Sequence, residues 1–134
     1  MINEWKNRFE AEYNMSTVLI IDDDNDLRRL TTAYLNNASH TTVEATNGQD
    51  GIAQAKASPP DVIILDINMP VMDGTKVIEE LRAFEATAKV PVIALTGMTD
   101  TQMRDDMYER GVDAYVTKPI DFKVLLGKVA ELAG

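Results

Sequence analysis

The sequence predicts an α/β fold: a doubly wound, five-stranded parallel sheet with helices on both faces. Five short apolar runs recur along the chain from Thr17 onward, and amphipathic segments alternate with them. Such an alternation favours parallel strands joined by right-handed crossovers. The length of 134 residues and the hydrophobic fraction of 45% suit one domain with a single core.

The predicted strands are the five apolar runs. The third run is apolar without interruption from Val62 to Leu65, as expected for a strand covered on both faces. The runs are TVLII (17–21), TTVEA (41–45), DVIIL (61–65), VPVIAL (90–95) and DAYVT (113–117).

The predicted helices occupy the segments between and after these runs. They are NDLRRLTTAYLNN (25–37), GQDGIAQAKA (48–57), GTKVIEELRAFEA (74–86), DTQMRDDMYERG (100–111) and DFKVLLGKVAELAG (121–134). In the first, Leu27, Leu30, Tyr34 and Leu35 form the predicted apolar stripe. In the third predicted helix, the apolar stripe ends at Phe84.

Residues 1–15 form an N-terminal extension that precedes the alternating pattern, and the domain takes up residues 16–134. Trp5, Phe9 and Tyr13 recur every four residues, as on one face of a helix. Two interpretations remain open. We favour a poorly ordered extension, such as a vector remnant or a linker. The alternative is a short helix that packs on the domain or pairs with another chain.

Composition argues against several classes of function. The net charge is −9 and the basic residues form no cluster, so binding to nucleic acid or to an anionic membrane is not expected. The chain has no Cys, which leaves no disulfide or thiolate metal site. No apolar run approaches the roughly 20 residues of a membrane span, and the charged N-terminus lacks the core of a signal peptide. A cytoplasmic protein is therefore expected.

Polar residues follow four of the predicted strands. Asp22 and Asp23 follow the first, Asp66 the third, Thr96 ends the fourth, and Lys118 follows the fifth. Functional sites of doubly wound sheets lie at these carboxyl ends. In the flavodoxin-like order 2-1-3-4-5, the first and third strands are neighbours. Any one of these residues could be a cap or turn residue, but their coincidence at one edge predicts a site.

Three converging carboxylates would repel one another. Either one of them is protonated, or a cation lies among Asp22, Asp23 and Asp66. Oxygen ligands without His or Cys favour Mg²⁺, which binds few protein carboxylates and keeps several waters. We therefore expect Mg²⁺ as the cofactor.

These motifs resemble the response-regulator receiver domain, and the chain is similar to the chemotaxis response regulator. The resemblance covers about residues 16–133. Its motifs are the acidic pair at 22–23, LDINMPVMDG at 65–74, Thr96 in ALTG, and Lys118 in TKP. It implies transfer of a phosphoryl group from a histidine kinase phosphohistidine to Asp66. It also implies a protein that catalyses its own phosphorylation and slow dephosphorylation, not a multiple-turnover enzyme.

The resemblance also assigns roles to the surrounding residues. Asp23, Asp66 and the backbone carbonyl of Asn68 would hold Mg²⁺, and Asp22 would act mainly through a metal-bound water. Lys118 would pair with one phosphoryl oxygen and Thr96 would donate a hydrogen bond to another. Met69 and Pro70 would shape the turn, Asp73 would cap the next helix near Thr75, and Gly74 would permit a tight approach.

The expected output is a switch in the surface formed by the fourth helix, the fifth strand and the last helix. Tyr115 resembles the aromatic residue that swings inward in this family, although a static, half-buried Tyr is the alternative. The expected partners are a histidine kinase or phosphotransfer protein, a downstream protein target and a phosphorylation-dependent second copy. The surface would include Met98, Gln102, Met103, Tyr115 and Lys123.

Three alternatives remain. A haloacid-dehalogenase-type phosphatase also uses a nucleophilic Asp, but its second Asp is replaced here by Asn68. A receiver-like module could act without phosphorylation, although the set of site residues is complete. Finally, the domain could be a stand-alone regulator, which we favour, or a module of a hybrid histidine kinase or larger regulator.

Overall fold

The protein is an open α/β sheet flanked by helices. The structure, a computed structural model, describes residues 16–69, 73–97 and 101–133. The strands are β1 (Thr17–Ile21), β2 (Thr41–Ala45), β3 (Val62–Asp66), β4 (Val92–Thr96) and β5 (Ala114–Thr117). The helices are α1 (Asn25–Asn37), α2 (Gly48–Ala57), α3 (Gly74–Ala83), α4 (Thr101–Glu109) and α5 (Phe122–Ala133).

The sheet has the predicted topology. Its five strands are all parallel and run in the order β2-β1-β3-β4-β5. Parallel neighbours need crossover connections, which the intervening helices supply. The predicted fold class and strand order are therefore confirmed.

Two apolar layers cover the faces of the sheet. Alternate residues of each strand point to opposite faces. Leu19, Ile63 and Leu65 pack with α2, α3 and α4 on one face. Val18 and Ile64 pack with α1 and α5 on the other. All five residues of β3 are buried, which holds the end of this strand firmly in place.

The apolar stripe predicted for α1 is confirmed at Leu35, which is buried, and is wrong at Leu30 and Tyr34. Leu30 and Tyr34 are 48% and 42% exposed, whereas Arg28, Thr31 and Leu35 form the buried face. Two contacts explain the difference. The polar groups of Arg28 are hydrogen-bonded within the fold, and the ring of Tyr34 stacks on Phe122 at 4.1 Å. Hydrophobicity alone therefore misjudged which face of α1 meets the sheet.

The third helix ends earlier than predicted. α3 stops at Ala83, three residues short of the predicted end, and Phe84 adopts an extended conformation at its C-cap. Phe84 is 41% exposed and lies under the ammonium of Lys56 at 4.8 Å. The ring of Phe84, which the sequence pattern assigned to the buried stripe of the helix, therefore contacts a cation at the surface.

Several expectations fall outside the described residues. They concern the helix within residues 1–15, the role of Pro70 and the contacts of Met98. The backbone of Gln102 and Met103 is described as part of α4, but the predicted contacts of their side chains lie outside the described part of the chain. Within the described ranges, every helix falls short of the length and apolarity that crossing a bilayer demands.

Candidate phosphoacceptor and metal site

Strand register brings the predicted site residues to one edge of the sheet. Ile21 of β1 pairs with Leu65 of β3, so Asp22 lies beside Asp66 at the next position. Thr96 of β4 pairs with Thr117 of β5, one residue before Lys118. The backbone N–H of Lys118 also donates to the carbonyl of Thr96 at 2.8 Å. The carboxyl ends of four strands therefore present their polar residues together.

Asp22, Asp23 and Asp66 form a compact acidic cluster. One carboxylate oxygen from each lies within 4.8 Å of the others. Asp22 and Asp66 are 1% and 2% exposed, whereas Asp23 is exposed to solvent. Asp24, the third acidic residue of the run, instead caps α1 by accepting hydrogen bonds from Asp26 and Leu27. The cap and the acidic cluster thus use different members of the DDD sequence.

Burial stabilises the protonated form of the Asp22 carboxyl. It raises the pKa of Asp22 from 3.8 to about 7, with a further contribution from the charge of Asp66. The Asp24 N–H, which donates to Oδ1 of Asp22 at 2.9 Å, and the charge of Lys118 oppose this increase. Oδ2 of Asp22 is buried and has no hydrogen-bond partner among the described residues. A cation or its bound water would satisfy this oxygen.

Asp66 is held in a fixed orientation at the tip of β3. Its Oδ1 accepts a hydrogen bond from the backbone N–H of Asn68 at 3.0 Å and pairs with Nζ of Lys118 at 3.2 Å. The side chain of Asp66 is 3% exposed and that of Lys118 is 28% exposed. A buried carboxylate beside a partly open cation suits an acceptor that a charged group approaches from one side.

Thr96 and Asn68 meet at the border of the site. The hydroxyl of Thr96, which is fully buried, donates to Oδ1 of Asn68 at 3.2 Å. Tyr115 is half-buried on β5, and the guanidinium of Arg104 lies 5.1 Å from the centre of its ring. For Thr96 to donate to a phosphoryl group on Asp66, its hydroxyl must first give up the hydrogen bond to Oδ1 of Asn68. The predicted roles of Thr96 and Tyr115 remain predictions.

The end of β3 and the start of α3 lie close together on either side of residues 70–72, as the predicted tight approach requires. Asp73 caps α3 by accepting the N–H of Lys76 at 3.1 Å, and the helix begins at Gly74. The N–H of Gly74 donates to the carbonyl of Ile67 at 3.0 Å. A Cβ at Gly74 would lie 2.6 Å from Cα of Ile67 and 3.3 Å from the carbonyl oxygen of Asp66. Gly74 therefore allows α3 to pack directly behind Asp66.

Sequence reasoning missed Arg28. Its guanidinium is buried beneath the acidic cluster and donates to the backbone carbonyl of Asp22 at 2.8 Å. The available signal was the spacing of Arg28, Thr31 and Leu35, which places them on one face of α1. When a basic residue lies on the inward face of a helix shortly after an acidic strand end, as Arg28 does, its side chain is expected to support the acidic residues.

Comparison with protein families gives one match over most of the chain. The model described as "Response regulator receiver domain" matches residues 18–130. PilH of Pseudomonas aeruginosa is 37% identical over 123 residues, which cover 90% of this chain and 100% of PilH. The DNA-binding dual master transcriptional regulator RpaA of Synechocystis is 37% identical over 118 residues, 88% of this chain. The chain spans 49% of the length of RpaA.

Solved structures show the same architecture. The chemotaxis protein CheY4 of Vibrio cholerae aligns with a TM-score of 0.84 and 28% identity, over 88% of this chain and 98% of CheY4. The receiver domain of sensor histidine kinase PA1611 from Pseudomonas aeruginosa aligns with a TM-score of 0.82 and 25% identity, over 90% and 98% of the two chains. That structure has a magnesium ion coordinated in its active-site cleft.

Proposed function

From the premise that this chain belongs to the response regulator receiver domain family, we propose that Asp66 accepts a phosphoryl group from a phosphohistidine. The observation that carries the proposal is the setting of Asp66. It is buried at a strand tip, paired with Lys118 at 3.2 Å and clustered with two further carboxylates. The donor is a histidine kinase or a phosphotransfer protein, and the protein works in the cytoplasm.

The chemistry is a displacement at phosphorus. A carboxylate oxygen of Asp66 attacks the phosphorus, and an acyl phosphate bond forms as the phosphorus–nitrogen bond of the phosphohistidine breaks. The imidazole nitrogen of the donor leaves with the electron pair of that bond. The protein accepts one phosphoryl group per cycle and later loses it slowly to water, so it is not a multiple-turnover enzyme.

Lys118 and Thr96 stabilise charge on the transferring group. The ammonium of Lys118 already lies against Oδ1 of Asp66, and a short movement brings it to a phosphoryl oxygen. Thr96 donates to a second oxygen after its hydroxyl leaves Asn68. The backbone N–H of Asn68 keeps Asp66 oriented while the reaction occurs.

The acidic cluster fits Mg²⁺. Asp23, Asp66 and the backbone carbonyl of Asn68 would hold it, with Asp22 bound through a metal-coordinated water. Two observations support this assignment: hard oxygen donors lie within 4.8 Å of one another, and the buried Oδ2 of Asp22 has no hydrogen-bond partner in the part of the chain that the structure describes. When bound, the ion supplies positive charge that neutralises the oxygens of the transferring phosphoryl group.

The output we propose is a change in one protein surface. Phosphorylation replaces the single carboxylate charge of Asp66 with an acyl phosphate that carries about −1.5 to −2 charges. It draws Thr96 and the following loop toward Asp66, and Tyr115 moves inward with them. Arg104, Tyr108, Tyr115 and Val124 line an open groove of about 340 Å³ on this side of the molecule. The groove would receive a downstream protein or a second copy of the chain.

The phosphoryl acceptor can be identified directly. The protein is treated with acetyl phosphate and Mg²⁺, and the acyl phosphate is trapped with borohydride and mapped by mass spectrometry. Label is expected on Asp66 alone and absent from Asp66→Asn. Asp105→Asn, which changes an exposed carboxylate of α4, is the matched control and should label normally. Full labelling of Asp66→Asn would overturn the proposal.

The switch has its own test. Amide hydrogen exchange is compared with and without beryllofluoride, a mimic of the phosphoryl group. We expect altered exchange in α4 and around Tyr115, as well as near Asp66. A change confined to the rim of the acidic cluster would contradict the switch and leave a phosphoryl carrier without this output surface.

The receiver domain occurs in relatives of different organisation. PilH is matched along its full length, which supports a regulator made of this domain alone, whereas RpaA carries the domain as about half of its chain. We favour the stand-alone regulator. The reaction at Asp66 is the same in either arrangement, because all the residues we assign to it lie within the receiver domain.

A further inference from the structure

Arg28 connects three parts of the fold beneath the acidic cluster. It is 6% exposed and lies in the first turns of α1. Its Nη1 donates to the carbonyl of Asp22 at 2.8 Å, Nε donates to Oε1 of Glu44 at 3.0 Å, and Nη2 donates to Oδ1 of Asn25 at 2.7 Å. These contacts join the loop after β1, strand β2 and helix α1.

The contact with Asp22 leaves the carboxylates available. Arg28 binds the backbone carbonyl of Asp22 and not its side chain, so its positive charge supports the cluster without occupying a ligand oxygen. The N–H of Asp22 donates to the carbonyl of Ala45 at 3.1 Å. The peptide groups on both sides of the Asp22 side chain are therefore fixed, and its Oδ1 is held by Asp24.

The choice of arginine suits this position. The planar array of donors on a guanidinium can serve three acceptors at once. Burying a cation costs free energy unless partners surround it. Glu44, with a side chain 39% exposed, is its only ion-pair partner among the described residues. The remaining partners are neutral and position the group geometrically.

We infer that Arg28 is a positioning residue, which holds the loop after β1 so that Asp22 and Asp23 face the metal position. This role rests on the proposed function, because it concerns the same site. Without the guanidinium, the carbonyl of Asp22 would lose its donor, and the loop after β1 would lose its connection to Glu44 and Asn25. The site would then bind Mg²⁺ more weakly, although every ligand would still be present.

The test compares Arg28→Met and Arg28→Lys with Arg29→Met, which changes the exposed neighbouring cation of α1. Mg²⁺ affinity is measured by titration without any phosphoryl donor, at a temperature where all variants are folded. Arg28→Met should bind Mg²⁺ about tenfold to a hundredfold more weakly, the usual loss when a group supporting a metal ligand is removed. Arg28→Lys should recover part of the loss, and Arg29→Met should match wild type.

A second readout does not depend on metal or phosphoryl transfer. The N–H of Asp24 donates to Asp22, so its hydrogen-exchange protection reports the position of the loop. Protection should fall in Arg28→Met and persist in Arg29→Met. Wild-type Mg²⁺ affinity together with wild-type protection in folded Arg28→Met would overturn the inference. Failure of the wild type to label at Asp66 would instead refute the proposed function, while the exchange result would still decide the role of Arg28.

Discussion

Replacing Asp22 with Asn should stabilise the metal-free protein in a pH-dependent way. In the fold, burial raises the pKa of Asp22 from 3.8 to about 7. Below pH 3.8 the carboxyl is protonated in both the folded and the unfolded states. Between pH 3.8 and 7 the unfolded state loses the proton first, so the stability contributed by this group falls as pH rises and is lost above pH 7.

The size of the effect follows from the shift. One pKa unit corresponds to about 1.4 kcal/mol, so a shift of roughly three units corresponds to at most about 4 kcal/mol. Asn resembles the protonated carboxyl in shape and has no charge to bury. Asp22→Asn should therefore match wild type near pH 4 and exceed its free energy of unfolding by up to about 4 kcal/mol at pH 8.

Urea unfolding across this pH range in the presence of a chelator measures the difference. Asp105→Asn, on the exposed face of α4, serves as the control and should show no comparable pH dependence. Mg²⁺ should reduce the difference in free energy of unfolding between Asp22→Asn and wild type at pH 8, because it favours the charged form of Asp22 in wild type. A pH-independent difference between wild type and Asp22→Asn, or a destabilised variant at pH 8, would refute the reasoning.

Three further predictions follow from other contacts. Asp23→Ala should weaken Mg²⁺ binding severely in a titration, since the site has few protein ligands, and an unchanged affinity would show that the metal is held elsewhere. Gly74→Ala should lower the free energy of unfolding by about 1–3 kcal/mol and slow phosphorylation of Asp66, because the added Cβ would lie 2.6 Å from Cα of Ile67. Wild-type stability of this variant would contradict the prediction. Arg82→Met should lower the free energy of unfolding in urea by about 1–3 kcal/mol, because partly buried carbonyls such as that of Gly111 lose their donor. The initial phosphorylation rate should be retained, and a loss of labelling in the folded variant would contradict this separation.

The sequence was sufficient for the sheet because short apolar runs indicate strands that are buried on both faces, as β1, β3 and β4 are. β1 and β2 were predicted at their observed bounds, and the edge residues Asp66 and Thr96 at their observed strand ends. The acidic cluster could be predicted because both carboxylates follow neighbouring strands, and the register of β1 and β3 then places Asp22 beside Asp66.

What the sequence could not provide depended on polar contacts between distant segments. Leu30 is more hydrophobic than Arg28. Arg28 is nevertheless the buried residue, because its hydrogen-bond acceptors lie on Asp22 and Glu44. The raised pKa of Asp22 likewise results from its burial and the charge of Asp66, and spacing does not reveal it. Both features arise from three-dimensional packing around the site.

The most direct test of the central claim is a crystal structure of the protein with Mg²⁺ and beryllofluoride. We predict the beryllium bound to a carboxylate oxygen of Asp66, with Lys118 and Thr96 on two of the fluorides. The metal should contact Asp23, Asp66 and the backbone carbonyl of Asn68. Beryllofluoride bound to another carboxylate, or a metal bound away from the acidic cluster, would contradict the assignment of Asp66 as the phosphoryl acceptor in this site.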